Sequence, residues 1–186
     1  MPSGFSAPSS ACAKWLVVAS LLWLFGCARI PDIYAPPIER KPLTGPEQFA
    51  LGPLVRMSDS NADAHIVRDI SRTVEGGGWR WAHQRPELRF RLQTTENLKF
   101  VMDFGVPETT YRDTGPIKVS VFVNGQLLDV IPVDKPGDRH FEKPVPGSWL
   151  RTDGDTKVAA EVDKPWVAPA DGAKLGFTLS RAGFVQ

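Results

Sequence analysis

The chain has 186 residues, with 22 lysines and arginines against 21 aspartates and glutamates and a formal net charge of +1. A balance that even lacks the basic footprint of a nucleic-acid binder. Both cysteines, Cys12 and Cys27, fall near the amino end, so no disulfide or thiolate metal site can be built in the remainder.

Reading from the amino end, Ser3–Ala13 is small and polar, Lys14 supplies a positive charge, and Trp15–Phe25 is an apolar run. A helix over that run reaches only ~16 Å, against about 30 Å for the hydrocarbon core of a bilayer. The order is that of an export signal rather than a spanning helix. Leu24-Phe25-Gly26-Cys27 closes the run and resembles the lipobox of bacterial lipoprotein signals. The resemblance implies a signal peptide cut before Cys27 and lipid, palmitate included, on the Cys27 thiol. It also implies a protein exported to the cell envelope and held at a membrane by that anchor. Ala28 is compatible with outer-membrane sorting. Phe25 is bulkier than the small residue usual two places before such a cysteine, which leaves open an ordinary signal cleaved nearby or an uncleaved anchor. Ala28–Pro46 carries Pro31, Pro36, Pro37, Pro42 and Pro46, an extended semi-rigid tether able to reach ~50 Å. The expected division is a signal peptide over 1–26, the lipidated cysteine and tether over 27–46, and a folded domain over 47–186.

Glu47–Met57 carries at best one short turn. From about Ala64 the apolar residues alternate with a period of two, the mark of half-buried strands. His65–Ile70 is the first such stretch. Leu88, Phe90 and Leu92 then share one side, with Arg89, Arg91 and Gln93 opposite. Leu98, Phe100, Met102 and Phe104 repeat the pattern and place Val101 outward. Ile117–Val123 follows, then Val158, Ala160 and Val162, then Leu175, Phe177 and Leu179. Asn124-Gly125 suits a type I′ hairpin turn between Val119–Val123 and Leu127–Val133. Pro107–Thr114, Lys135–Asp138, Pro144–Gly147, Asp153–Asp155 and Pro169–Gly172 are breaks. About eight strands so divided predict an all-β, antiparallel β-sandwich with no second domain.

The stretches Ile117–Gly125, Asp134–Gly137, His140–Pro146 and Lys174–Phe177 look like the jelly-roll sandwiches of the galactose-binding-like class. The likeness runs from about Ala64 to Val185. It implies that fold, and the company of accessory modules that bind carbohydrate.

Local motifs for catalysis are missing: no Gly-x-Ser-x-Gly elbow, phosphate-cradling loop or His-Glu-x-x-His helix. Glu75–Gly78 is glycine-rich but lies between strand-like segments and reads as a turn. His65, His83 and His140 are scattered without ligand spacing. Asp153 and Asp155 read as a polar turn rather than a Ca²⁺ loop. Hence no catalytic residue, metal or cofactor is expected.

The tryptophans beyond the signal carry the functional reading. Trp79-Arg80-Trp81 places two indoles on one side of an extended chain, with Arg80 opposite. Flat aromatic faces suit the C–H faces of sugar rings, and the indole N–H adds a polar handle. Arg80, Arg85 and His83 stand near as donors. Trp166 sits in a proline-bounded loop, where ligand contacts are common, whereas Trp149 reads as a hydrophobic plug. Six arginines between Arg68 and Arg91 either favour an anionic partner or form the solvated side of a strand. The expected ligand-binding residues are Trp79, Arg80, Trp81, His83 and Trp166, and the expected function is non-catalytic binding of carbohydrate. The alternative is a structural lipoprotein that docks another envelope protein through outward apolar residues such as Val101 and Phe122. A glycan-active enzyme is a third reading.

Overall fold

A computed structural model describes residues 50–186, which fall in one compact unit. The expected signal peptide, Cys27 and the tether lie outside the described residues. In chain order the elements are β1 (Leu54–Arg56), α1 (Ala62–His65), β2 (Ile66–Ile70), β3 (Arg80–Arg91), β4 (Lys99–Val106), α2 (Glu108–Thr114), β5 (Ile117–Val123), β6 (Gln126–Val133) and β7 (Gly137–Pro144). A 3-10 turn (Gly147–Trp149) follows, then β8 (Asp155–Val162), β9 (Trp166–Val167), β10 (Lys174–Leu175) and β11 (Phe177–Val185).

All the strand pairs are antiparallel. One layer runs β7-β4-β11, extended by β1 along the end of β11. The other runs β6-β5-β8-β3-β2. Strand β3 belongs to both layers: Arg80–Ala82 pair with β11, and Glu87–Arg91 pair with β8. The chain passes back and forth between layers from β4 to β5, β6 to β7, β7 to β8 and onward to β11, which gives the antiparallel sandwich that the alternating strands predict, in the jelly-roll arrangement that the resemblance implies.

The pattern that makes the strands also builds the core. In β5, Ile117, Val119, Val121 and Val123 are buried while the residues between them are not. Phe90 from one layer meets Phe184 from the other edge-on, with ring centroids 5.6 Å apart. Within the β7-β4-β11 layer, Phe104 and Phe177 make another edge-on pair at 5.3 Å. Asn124 and Gly125 both adopt positive φ, 47° and 83°, as a type I′ turn requires. Asn124 has a second task. Its amide donates to the Trp149 carbonyl at 2.6 Å and accepts from the Lys157 N–H at 2.9 Å, tying the hairpin to β8.

Several sequence expectations need correction. A strand, β1, stands where Glu47–Met57 offered only a turn. His65 ends α1 instead of opening β2. It is fully buried, with Nδ1 donating to the Arg89 carbonyl at 2.9 Å and Nε2 facing the Gly52 N–H at 3.4 Å. Burial holds its pKa below the ordinary value of 6.5, so the ring is neutral with the proton on Nδ1. Residues Glu108–Thr114, read as a break, form α2. Gly137–Pro144, whose two ends were read as parts of breaks and whose middle was assigned no strand, is strand β7 at the edge of its layer. Val101 lies on the outward side of β4 but is only 2% exposed, so it offers no docking surface.

Candidate functional site

The outer side of the β7-β4-β11 layer carries the polar residues that the core rejects. Register places them in rows. Thr178, Gly105 and Asp138 stand side by side across β11, β4 and β7, and Arg181, Asp103 and His140 form the next row. A bulge in β11 between Leu179 and Arg181 shifts the alternation there. It lets Ser180 Oγ donate to the Asp103 carbonyl at 3.0 Å while Arg181 Nε reaches the Asp103 carboxylate at 2.6 Å.

Over these rows lies a groove of three adjoining depressions of about 420, 450 and 470 Å³. Two share Trp79, Gly105, Asp138 and Thr178, and two share Asp103 and Ser180. Gly105 lies buried under the floor, where the Asp138 and Thr178 side chains close over it. A Cβ built there would stand 2.6 Å from Asp138 Oδ1 and 2.9 Å from Thr178 Oγ1. A glycine inside a strand costs stability and commonly marks a place where something approaches the backbone closely. Trp79 forms the wall. Its indole meets that of Trp81 edge-on at 5.5 Å, and both rings are half-buried. The Glu75–Trp79 turn closes on it: Glu75 N–H donates to the Trp79 carbonyl at 2.8 Å. Gly76 and Gly77 have positive φ, and a side chain at Gly76 would collide with the Trp79 indole nitrogen. The glycine-rich turn thus packs against the indole and fixes its position.

The five sequence-predicted ligand residues separate at this point. Trp79 and Trp81 are brought together on one side of the strand, as their spacing predicts. Arg80 points the other way and is 5% exposed. Its guanidinium donates to the Met57 carbonyl at 2.8 Å and pairs with Asp63; the hydrogen bond from Arg80 lowers the Asp63 pKa. Arg80 therefore joins β3 to the α1 segment and is not a groove residue. His83 shares the outward side of β3 but lines none of the three depressions. Trp166 is elsewhere. Its indole N–H donates to Asp113 Oδ2 at 2.8 Å, linking β9 to the end of α2.

Asp103, Asp138, Thr178, Ser180 and Gly105 were not marked by the sequence reading. The one available signal was Gly105, an isolated glycine that continues the alternating run of β4.

The electrostatics of the groove are set by one cluster. Burial pushes the Asp103 carboxyl up, but hydrogen bonds from His140 and Arg181 outweigh it, and its pKa falls below the ordinary 3.8. The hydrogen bond to Asp103 raises the pKa of His140 above 6.5, with Glu142 adding to the effect. Stability linked to a raised histidine pKa is fully present below the unfolded value and lost as pH rises through the folded value. The lowered pKa of buried His65 acts on the acid side, so that stability falls as pH drops below 6.5. Thermal unfolding should accordingly show maximum stability near pH 6.5. His140→Gln should flatten the alkaline limb above pH 6.5 and leave the acid limb in place. An unchanged alkaline limb in that variant would show that His140 and Asp103 are not coupled.

Among the described residues, no group of three or more His, Cys, Asp and Glu side chains is gathered as metal ligands would be. Asp155 faces Arg91 at 2.9 Å and Asp153 faces Arg151 at 3.5 Å. Chemically the groove can offer hydroxyl, carboxylate and imidazole partners beside one flat aromatic wall. Asp103, whose pKa is lowered by hydrogen bonds from His140 and Arg181, lacks the raised pKa that a general acid needs.

No protein-family model matches the sequence, and no curated protein does. Solved structures of similar shape include a family GH115 4-O-methyl-α-glucuronidase, BtGH115A, specific for decorated arabinogalactans (10% identity, 58% of this chain, TM-score 0.38). This chain spans only 14% of that protein's length. A family 35 carbohydrate-binding module from Clostridium thermocellum is 11% identical over 67% of this chain and 94% of its own, with a TM-score of 0.41. The CBM51 module of Clostridium perfringens GH95, solved with methyl-galactose, is 12% identical over 73% and 90%, with a TM-score of 0.37. Likenesses this faint assign nothing to the chain; the fold rests on the strands and their pairing described above.

Proposed function

We propose that this protein is a non-catalytic carbohydrate-binding module, exported and held at the bacterial cell envelope by lipid on Cys27. One observation carries the binding assignment: an open groove with a tryptophan wall at Trp79 and hydrogen-bonding groups on Asp138, Thr178 and Ser180, the first two closing over Gly105 to form the floor. That combination matches a sugar ring, which has an apolar face and a rim of hydroxyls. The volumes of the depressions lie in the range of small-molecule sites. The groove mixes Asp103 and Asp138 with His140, Arg139 and Arg181, so neither sign of charge dominates, and its ligand is a neutral glycan.

A glycan array probed with the purified full chain tests the assignment. Saturable binding to at least one neutral oligosaccharide is the expected result, and silence across a broad array would contradict it. The anchor has its own test. Cells fed labelled palmitate should incorporate label into the protein, and Cys27→Ser should abolish it; label retained in that variant would place the lipid elsewhere.

A second reading, docking of another envelope protein, has one observation in its favour. Edge strand β6 leaves Leu127 51% and Val130 40% exposed, and among the described strands it pairs only with β5. Crosslinking from Leu127 in intact membranes would capture such a partner.

A further inference from the structure

The opposite side of the sandwich bears a larger depression, of about 650 Å³, that the groove assignment does not use. Register again explains it. Phe122, Ala159 and Glu87 stand in one row across β5, β8 and β3, and the short Ala159 side chain between two larger neighbours leaves a trough. Arg85 lies at one lip, its guanidinium 5.5 Å from the centre of the Phe122 ring and 2.8 Å from Glu161. Lys157, Arg151 and Trp149 line the remainder. Trp149 packs against the core, as a plug should, yet also serves as a wall.

The charge here is one-sided. Arg85, Arg151 and Lys157 line the trough against a single carboxylate, Glu87. That carboxylate is already engaged by Arg68 at 2.9 Å and Lys157 at 3.6 Å. The partners of the other cations, Glu161 and Asp153, do not line the trough. The three cationic side chains are 46%, 62% and 57% exposed, so an incoming anion can reach them.

We infer that this trough is a second binding site, for an acidic saccharide chain whose carboxylate or sulfate groups meet Arg85, Lys157 and Arg151 and whose ring lies between Phe122 and Trp149. Guanidinium groups bind planar carboxylates through paired hydrogen bonds, and the two aromatic residues offer apolar faces to a ring. A flat lipid surface would not enter a trough floored by Ala159, and a neutral sugar would leave the cations unused. The site is independent of the groove on the other layer.

The test uses the full chain with three polymers: polygalacturonate for carboxylate, dextran sulfate for sulfate ester, and dextran as the neutral control. Binding to one or both anionic polymers, weakening with added salt and absent for dextran, is expected. Arg85→Gln with Lys157→Gln should weaken it about tenfold or more. Ala159→Leu, which fills the floor without altering charge, should weaken it comparably, whereas Gly105→Val should leave it unchanged. The two anionic polymers distinguish carboxylate from sulfate as the preferred group. Binding that survives Ala159→Leu, or is lost in Gly105→Val, would overturn the trough as the site. No binding to either anionic polymer would overturn the proposal outright while leaving the neutral-glycan groove untouched.

Discussion

Trp79→Ala should weaken binding of the neutral glycan by about 30-fold or more, with the fold intact by circular dichroism. An aromatic anchor at the centre of a site typically contributes about 2 kcal/mol or more, and tenfold in affinity corresponds to about 1.4 kcal/mol. Trp79 suits that role because its position is fixed from two sides, by Trp81 at 5.5 Å and by the turn at Gly76. Gly105→Val should match the loss by a different route. Its side chain would displace Asp138 and Thr178 and occupy the floor, while β-branching remains compatible with a strand. Titration calorimetry with the array's best ligand measures both. A change of threefold or less in either variant would contradict the assignment of the wall or of the floor.

Phe90→Ala should give the largest loss of stability, about 3–5 kcal/mol and a melting temperature lower by ~10–20 °C. Phe90 is fully buried and sits where the layers meet. Its ring packs on Phe184 of β11 at 5.6 Å and on His65 at 5.3 Å, so its removal leaves a cavity that neither layer can close alone. Thermal unfolding followed by circular dichroism reads the effect. A drop of only a few degrees would mean that Phe90 does not join the two sheets as described.

The sandwich was legible wherever one side of a strand is buried and the other wet. Strands β3, β5 and β8 satisfy that condition, and their alternation in the sequence is the alternation of burial in the structure; in β4 and β11 the inward residues alternate, but Val101, Gly105 and Gly183 on the outward side are buried too. Strand β7 does not. Every residue from Gly137 to Pro144 is at least partly exposed, since an edge strand need bury neither side, and no apolar alternation marks it. Helix α2 escaped for a related reason: only Thr110 within it is buried, so no apolar stripe announces it. Alternation also tells which way a side chain points but not whether that side is covered, which is why Val101 looked like surface.

The candidate site divides along the same line. Trp79 and Trp81 are two apart across the start of β3, and local geometry alone places them together. The opposite side of that strand could be solvent or core, and only the structure shows Arg80 turned inward onto Asp63. The groove floor was out of reach, because Asp103, Asp138 and Thr178 come from three strands that are remote in sequence and adjacent only through register. Gly105 was the exception. A glycine inside a strand is a local clue to a close approach, here by the Asp138 and Thr178 side chains of the neighbouring strands.

The most direct test of the groove is to follow the indole N–H resonances of the full chain by NMR, each assigned by Trp→Phe substitution, during titration with neutral oligosaccharides. Sugar in the groove should shift the Trp79 signal, and Trp81 to a lesser degree, while Trp166, held by Asp113, stays in place. Shifts confined to Trp166 or Trp149, or no shift with any sugar, would contradict a carbohydrate site at Trp79 and Gly105.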